Sequence, residues 1–141
     1  MDPYEQYAFD AELAETGVWF PFGGGSKLRI ARRDNPRYRE ALRALSKGKE
    51  RLIQLKSISE DDLHEMCMRG LARGILLDWE GLTRKGEPLP YSEDNAVMLL
   101  TDLPGFREQV ESCSEDIVVF RTEDEEEAEK NSERSCASIS S

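Results

Sequence analysis

The sequence predicts a mainly α protein: a small helical domain with an N-terminal β-hairpin and a disordered acidic C-terminal tail. Three observations lead there. Between Pro36 and Phe120 apolar residues recur at three- and four-residue spacing, the period of helices with one buried face. Alternation appears near the start, where Leu28 and Ile30 flank Arg29, as in a half-buried strand. After Thr122 come seven acids and few apolar groups, too little burial to offset the entropy of ordering. The divisions that follow are an acidic N-terminal segment (1–16), a hairpin-plus-helix body (17–121) and the tail (122–141).

The first sixteen residues show no period, and Tyr4, Tyr7, Phe9 and Leu13 form either a short sticky segment or a loose one. Gly17 to Phe22 and Lys27 to Arg33 read as two strands joined by the flexible turn Gly23-Gly24-Gly25-Ser26. Pro21 lacks an amide donor, which places the first strand at an edge or bends it. Asn35 then caps a helix that begins with Pro36, and Tyr38, Ala41, Leu42 and Leu45 line its apolar stripe. Gly48 ends or interrupts this helix, and Leu52, Ile53 and Leu55 form an apolar patch before a break at Ser57–Ser59. Ser59 caps the next helix, whose spacing runs from Leu63 through Met66, Gly70 and Gly74 to Leu77 or Asp78. Gly70 and Gly74 share a face that another helix can approach closely. Gly81 to Pro90 reads as a polar loop. Ser92 caps a helix with Ala96, Val97, Leu99, Leu100 and Leu103 on its core face, and Pro104 sits near the start of the last. Phe106, Val110, Cys113, Ile117 and Phe120 form that helix's stripe.

Charge and composition narrow the function classes. Lys plus Arg number 19 against 29 Asp plus Glu, a net charge of −10. The segment 27–56 holds eleven bases and three acids, and 57–122 holds six bases and fourteen acids. A duplex-binding surface is poorly served by a basic half that its own acidic half cancels. Apolar runs are too short to span a bilayer. The acidic N-terminus lacks the apolar region of a secretory leader. Three scattered cysteines, Cys67, Cys113 and Cys136, offer no disulfide framework and suit a reducing cytoplasm.

Candidate chemistry is sparse. His64 is the sole histidine and begins a segment like the zinc motif H-E-x-x-H, but Met68 occupies the second histidine position. Gly23 to Lys27 departs from the phosphate-loop pattern because a strand, not a helix, follows it. No G-x-S-x-G elbow is present. Trp79, between Asp78 and Glu80, reads as a structural anchor at a helix end, where its large apolar area is buried. The expectation is a protein that is not an enzyme and uses no cofactor and no metal.

Several segments in fixed order carry a family resemblance. They are Val18 to Phe22, Ile30 to Tyr38 with its N-P-R-Y, Ile75 to Leu82 with its D-W-E-G, and Gly86 to Leu100 with P-Y-S-E-D-N-A. Phe106 to Val110, F-R-E-Q-V, follows them. Together they resemble the tail assembly chaperones of long-tailed bacteriophages, over about residues 17–121. Asp94 stands where that family more often has glutamate, which keeps the charge.

The resemblance implies a non-enzymatic holdase that binds and solubilises the tape-measure protein and helps recruit tail-tube subunits. It implies action in the host cell cytoplasm and absence from the mature virion, with no membrane partner. Self-association is compatible with it. The partner groove would be lined by Leu63, Met66, Gly70 and Gly74, or by Val97, Leu100 and Phe106, with flexible methionines helping it adapt. The alternatives are a small nucleic-acid-associated regulator using the basic segment 27–56 and a head–tail connector subunit.

Overall fold

The computed structural model describes residues 1–8, 10–116 and 119–120. The acidic tail and Ile117 therefore lie outside the described residues. The chain opens with two short helices, α1 (Pro3–Tyr7) and α2 (Ala11–Thr16). Each has an aspartate cap: Asp2 accepts from the Tyr4 amide and Asp10 from the Leu13 amide. Strands β1 (Val18–Phe22) and β2 (Ser26–Ile30) form the expected hairpin about the glycine turn. Next come α3 (Pro36–Ser46), the five-residue α4 (Glu50–Gln54) and α5 (Glu60–Gly74). Strand β3 (Leu76–Glu80) leaves α5 almost at once, and β4 (Thr83–Arg84) and β5 (Glu87–Pro88) make a second small hairpin. Helices α6 (Glu93–Asp102) and α7 (Pro104–Ser114) complete the set.

The expectation of a mainly α domain with only an N-terminal hairpin is wrong. The fold is mixed α/β, built on a three-stranded antiparallel sheet in the order β1-β2-β3. The cause is local. Ile75, Leu77 and Asp78 fit the helical spacing of α5, and a short apolar run cannot be assigned by period alone. The helix instead stops at Gly74, and Leu76–Glu80 pairs with β2: Leu28 opposite Trp79, Arg29 opposite Asp78. A bulge between Arg29 and Ile30 shifts the register. Gly81 follows at φ 79°, and a Cβ there would lie 3.0 Å from Ser26 Cα, so it is a close-approach position at a strand end and not a helix terminator.

One face of the sheet, with Phe20, Leu28 and Trp79 in a row, meets a helical layer. That layer supplies Met68 and Leu71 from α5, Ala96 and Leu100 from α6, and Val110 and Cys113 from α7. Phe120 is also fully buried and stacks obliquely on Phe20, ring centroids 6.3 Å apart. It lies beyond the end of α7, so the last helical stripe is shorter than its spacing suggests. The opposite sheet face is polar and amphipathic: Lys27 lies 4.8 Å over the Trp19 ring and pairs with Glu80 at 3.3 Å. Pro21 sits in β1, an edge strand, where its missing amide costs no ladder bond.

Trp79 is 4% exposed. Its Nε1–H donates to the Leu89 carbonyl at 2.8 Å, and Tyr91 packs edge-on against it at 5.0 Å. The Tyr91 hydroxyl lies 2.9 Å from the Leu76 carbonyl and 3.1 Å from that of Ala72, and shares its one proton between them. Trp79 thus ties β3 to the segment before α6.

Helix α3 lies closely on α5, because two residues of the face it touches, Gly70 and Gly74, have no side chains. A Cβ on Gly70 would come within 2.7 Å of Leu42 Cδ2, and one on Gly74 within 2.4 Å of Tyr38 Cα. Gly74→Ala should therefore lower stability by about 1–3 kcal/mol, as overpacking does, read by chemical denaturation. Gly105→Ala, at a helical glycine with open space around it, should leave stability unchanged or raise it by up to about 0.5 kcal/mol. Equal effects would mean that α3 does not seat on Gly74.

Candidate interaction surface

Asn35 joins three elements. Its side-chain oxygen caps α3 by accepting from the Tyr38 amide at 2.9 Å, and its Nδ2 donates to the Gly74 carbonyl at 3.1 Å and to that of Arg32. It is 1% exposed, so these bonds are made where water cannot replace them. The same junction holds β2 to its neighbours: the Ala31 amide donates to the Ile75 carbonyl and the Arg33 amide to that of Ser114, both at 2.9 Å.

A second clamp fixes α6 on α5. Glu93, in the first turn of α6, accepts from Arg69 Nη1 at 2.6 Å and from Arg73 Nε at 2.7 Å, and Arg69 also reaches Asp94 at 3.2 Å. The Arg73 hydrogen bond, and after it that of Arg69, holds the Glu93 carboxyl below its ordinary value of 4.5, against an opposing effect of burial.

The expected partner-binding residues do not form one surface. Gly70 and Gly74 lie beneath α3 and are unavailable to a partner. Leu100 is fully buried, and Val97 and Phe106 pack half-buried against the core. Leu103, expected on the core face of α6, is exposed instead. Leu63 is 40% exposed, and Met66 is half-buried in a small cleft of about 130 Å³ between the end of α3 and α5, beside Leu45 and Arg69.

Two further exposed apolar side chains of the body lie on α4 and just after it. Leu52 is 47% and Leu55 64% exposed, and α4 has no buried residue. The sequence marks this as an apolar patch, but no period shows that it stays uncovered. Bases flank it in the chain: Lys47, Lys49, Arg51 and Lys56. Among the described residues these four make no ion pair within 4.0 Å. Most bases earlier in the basic segment are engaged: Lys27 with Glu80, Arg32 and Arg39 with Asp34, Arg33 with Glu111 and Glu115, Arg43 with Glu40. The α4 segment therefore presents exposed leucines among bases, while the first turn of α5 carries Glu60, Asp61 and Asp62, and Asp62 lines the small cleft together with Lys49.

His64 lies half-buried in α5, Cys67 is half-buried and Cys113 buried. Among the described residues no group of three or more His, Cys, Asp or Glu is placed to hold a metal ion, and no helix is long and apolar enough to cross a membrane. An open cleft of about 670 Å³ between α2 and α3 has small residues, Ala41 and Ala44, on its floor and charges of both signs, Glu15, Arg37, Glu40 and Arg73, around it.

A family profile described as YdaY prophage protein matches residues 33–131. The chain belongs to that family. The matched span begins at the junction before α3 and takes in α4, the whole α5–β3 unit and both later helices, so the exposed α4 face is part of the family region. No curated protein and no solved structure matches the chain. The family establishes a phage association.

The Glu93 clamp gives a pH prediction. A carboxyl whose folded value is lowered stabilises the fold above its unfolded value, and that stabilisation is lost as pH falls through the folded value. Because these side chains are partly exposed, the effect is small. Glu93→Gln should cost up to about 1 kcal/mol at neutral pH, and the gap from the parent should close as pH drops below 4.5. Urea titrations at several pH values read it; a gap that widens in acid would contradict the clamp.

Proposed function

We propose that this prophage-family protein acts as a tail assembly chaperone. In this reading it binds and solubilises segments of a tape-measure protein in the host cytoplasm, helps recruit tail-tube subunits, and leaves before the virion is complete. It does so without chemistry and without a cofactor. The observation that carries the reading is the exposure of Leu52 and Leu55, on and just after α4, a helix that buries no residue, on a body whose main apolar stripes are used internally. A large exposed apolar feature rimmed by polar groups marks an interaction site more often than a structural accident. An amphipathic helix is the natural occupant, its apolar anchors set at three- and four-residue spacing against a leucine ridge. The phage family and the ordered motifs of the tail-chaperone resemblance support the same conclusion. Of Arg33, Arg37, Arg39 and Arg43, which a nucleic-acid surface would draw on, three already hold carboxylates, which weakens the regulator alternative.

Co-expression tests the proposal. The tape-measure protein of the same prophage, insoluble alone, should become soluble with the parent chain. The complex should persist at about 1 M salt, where screening acts within about 3 Å. The double variant Leu52→Asp/Leu55→Asp changes exposed positions, so each substitution should shift stability by no more than about 0.5 kcal/mol, yet it should lose solubilisation. Leu103→Asp should retain it. A partner that stays insoluble with the parent chain, or one solubilised equally well by the double variant, would sink the proposal.

A further inference from the structure

The large exposed apolar side chains fall into two main groups of opposite charge. The second group is at the N-terminus. Helix α1 presents Met1 and Tyr4, 88% and 87% exposed, three residues apart and beside Asp2 and Glu5. Residues 1–16 contain five acids and no base. The arm is rooted, because α2 is held to the body: the Asp10 amide donates to the Phe120 carbonyl at 2.8 Å and the Arg32 amide to that of Ala14 at 2.9 Å. Ala14 is buried. Beyond that root, a five-residue helix is not stable in water by itself.

The α4 face is its complement. Leu52 on α4 and Leu55 at its C-cap are also three residues apart, and the five-residue helix buries nothing. Lys47, Lys49, Arg51 and Lys56 have no ion pair among the described residues, and Glu50 is the one acid among them. Within a single molecule neither apolar pair is covered. An acidic apolar arm and a basic apolar cradle, both open at once, satisfy each other when the arm comes from another molecule.

We infer that the α1 arm of one copy docks on the α4 cradle of a second copy, with Met1 and Tyr4 against Leu52 and Leu55 and the arm's carboxylates facing Lys47 and Arg51. Arm and cradle are different patches, so the contact is heterologous: two copies exchange arms reciprocally, or a series of copies joins head to tail. Apolar contact supplies the attraction, and the charges set partner choice and add salt dependence. The inference rests on the proposed function only in using the same cradle, which a tape-measure helix would take over from the arm.

Sedimentation of the full-length protein alone, from micromolar to near-millimolar concentration, is the test. The parent should show a weight-average size that rises with concentration and falls with added salt. Tyr4→Ser should abolish the rise. Glu5→Lys and Arg51→Glu should each weaken it when measured singly, and an equimolar mixture of those two should associate again, because one charge-reversed arm then meets one charge-reversed cradle. Circular dichroism of each variant should match the parent. A parent that stays monomeric throughout would overturn the inference. So would association that Tyr4→Ser leaves intact, or arm-dependent protection of α4 amides that does not vary with concentration, since the arm would then cover its own cradle. A partner that stays insoluble while the concentration dependence and charge rescue appear would remove the proposed function and leave this inference standing.

Discussion

The seating of α3 on α5 organises the rest of the molecule. Two glycines one turn apart remove the side chains that would hold the helices apart, and Tyr38 and Leu42 occupy the space. Asn35 then locks the approach: one buried amide group caps α3 and at the same time satisfies the Gly74 carbonyl, an acceptor at the end of α5. A helix end buried without such a partner would be costly. The close packing and the polar satisfaction require each other. Without the glycines the Asn35 amide does not reach the end of α5, and without Asn35 the end of α5 is left with an unpaired carbonyl in the core.

That junction also decides what remains for binding. With α3 covering the glycine face, and α5, α6 and α7 sharing one core with the sheet, the apolar stripes of the body are consumed. α4 alone among the helices of the body buries no residue. It lies just beyond the C-terminal end of α3, so the close seating of that helix holds a small leucine ridge outside the core. The basic charge of the segment divides in the same way. Arg33, near the junction, pairs with Glu111 and Glu115 in the second half of the chain, while the bases around α4 make no ion pair within 4.0 Å among the described residues. Apolar exposure and bases without an ion pair therefore coincide around α4, and the proposed binding role rests on that coincidence and not on a cleft.

What was legible in the sequence was what acts over a few residues. Asn35, Ser59 and Ser92 each cap the helix that follows, through a bond to an amide three residues on. Pro36 and Pro104 open their helices, and Gly23 to Ser26 makes the hairpin turn. Leu76–Glu80 was not legible as a strand, because its pairing partner, β2, lies far away in the chain and its own period is compatible with helix. The small helices α1 and α2 escaped for the opposite reason: each is too short to show a period, and only Asp2 and Asp10 announce them. For the candidate surface, the spacing of Gly70 and Gly74 showed that a helix could come close but not that α3, from the same chain, already does. Leu52 and Leu55 were visible as an apolar run. Their exposure depends on tertiary packing, which composition does not carry.

Hydrogen exchange of the free protein, resolved by residue, tests most directly the division between a locked α3–α5 junction and an uncommitted α4. Amides opened only by global unfolding should include those around Gly70–Gly74, together with the Tyr38 amide that Asn35 caps. Amides of Glu50–Gln54 should exchange through local opening, orders of magnitude sooner. Early exchange at Gly70–Gly74, or protection of α4 equal to that of α5 in dilute monomeric protein, would contradict the central claim.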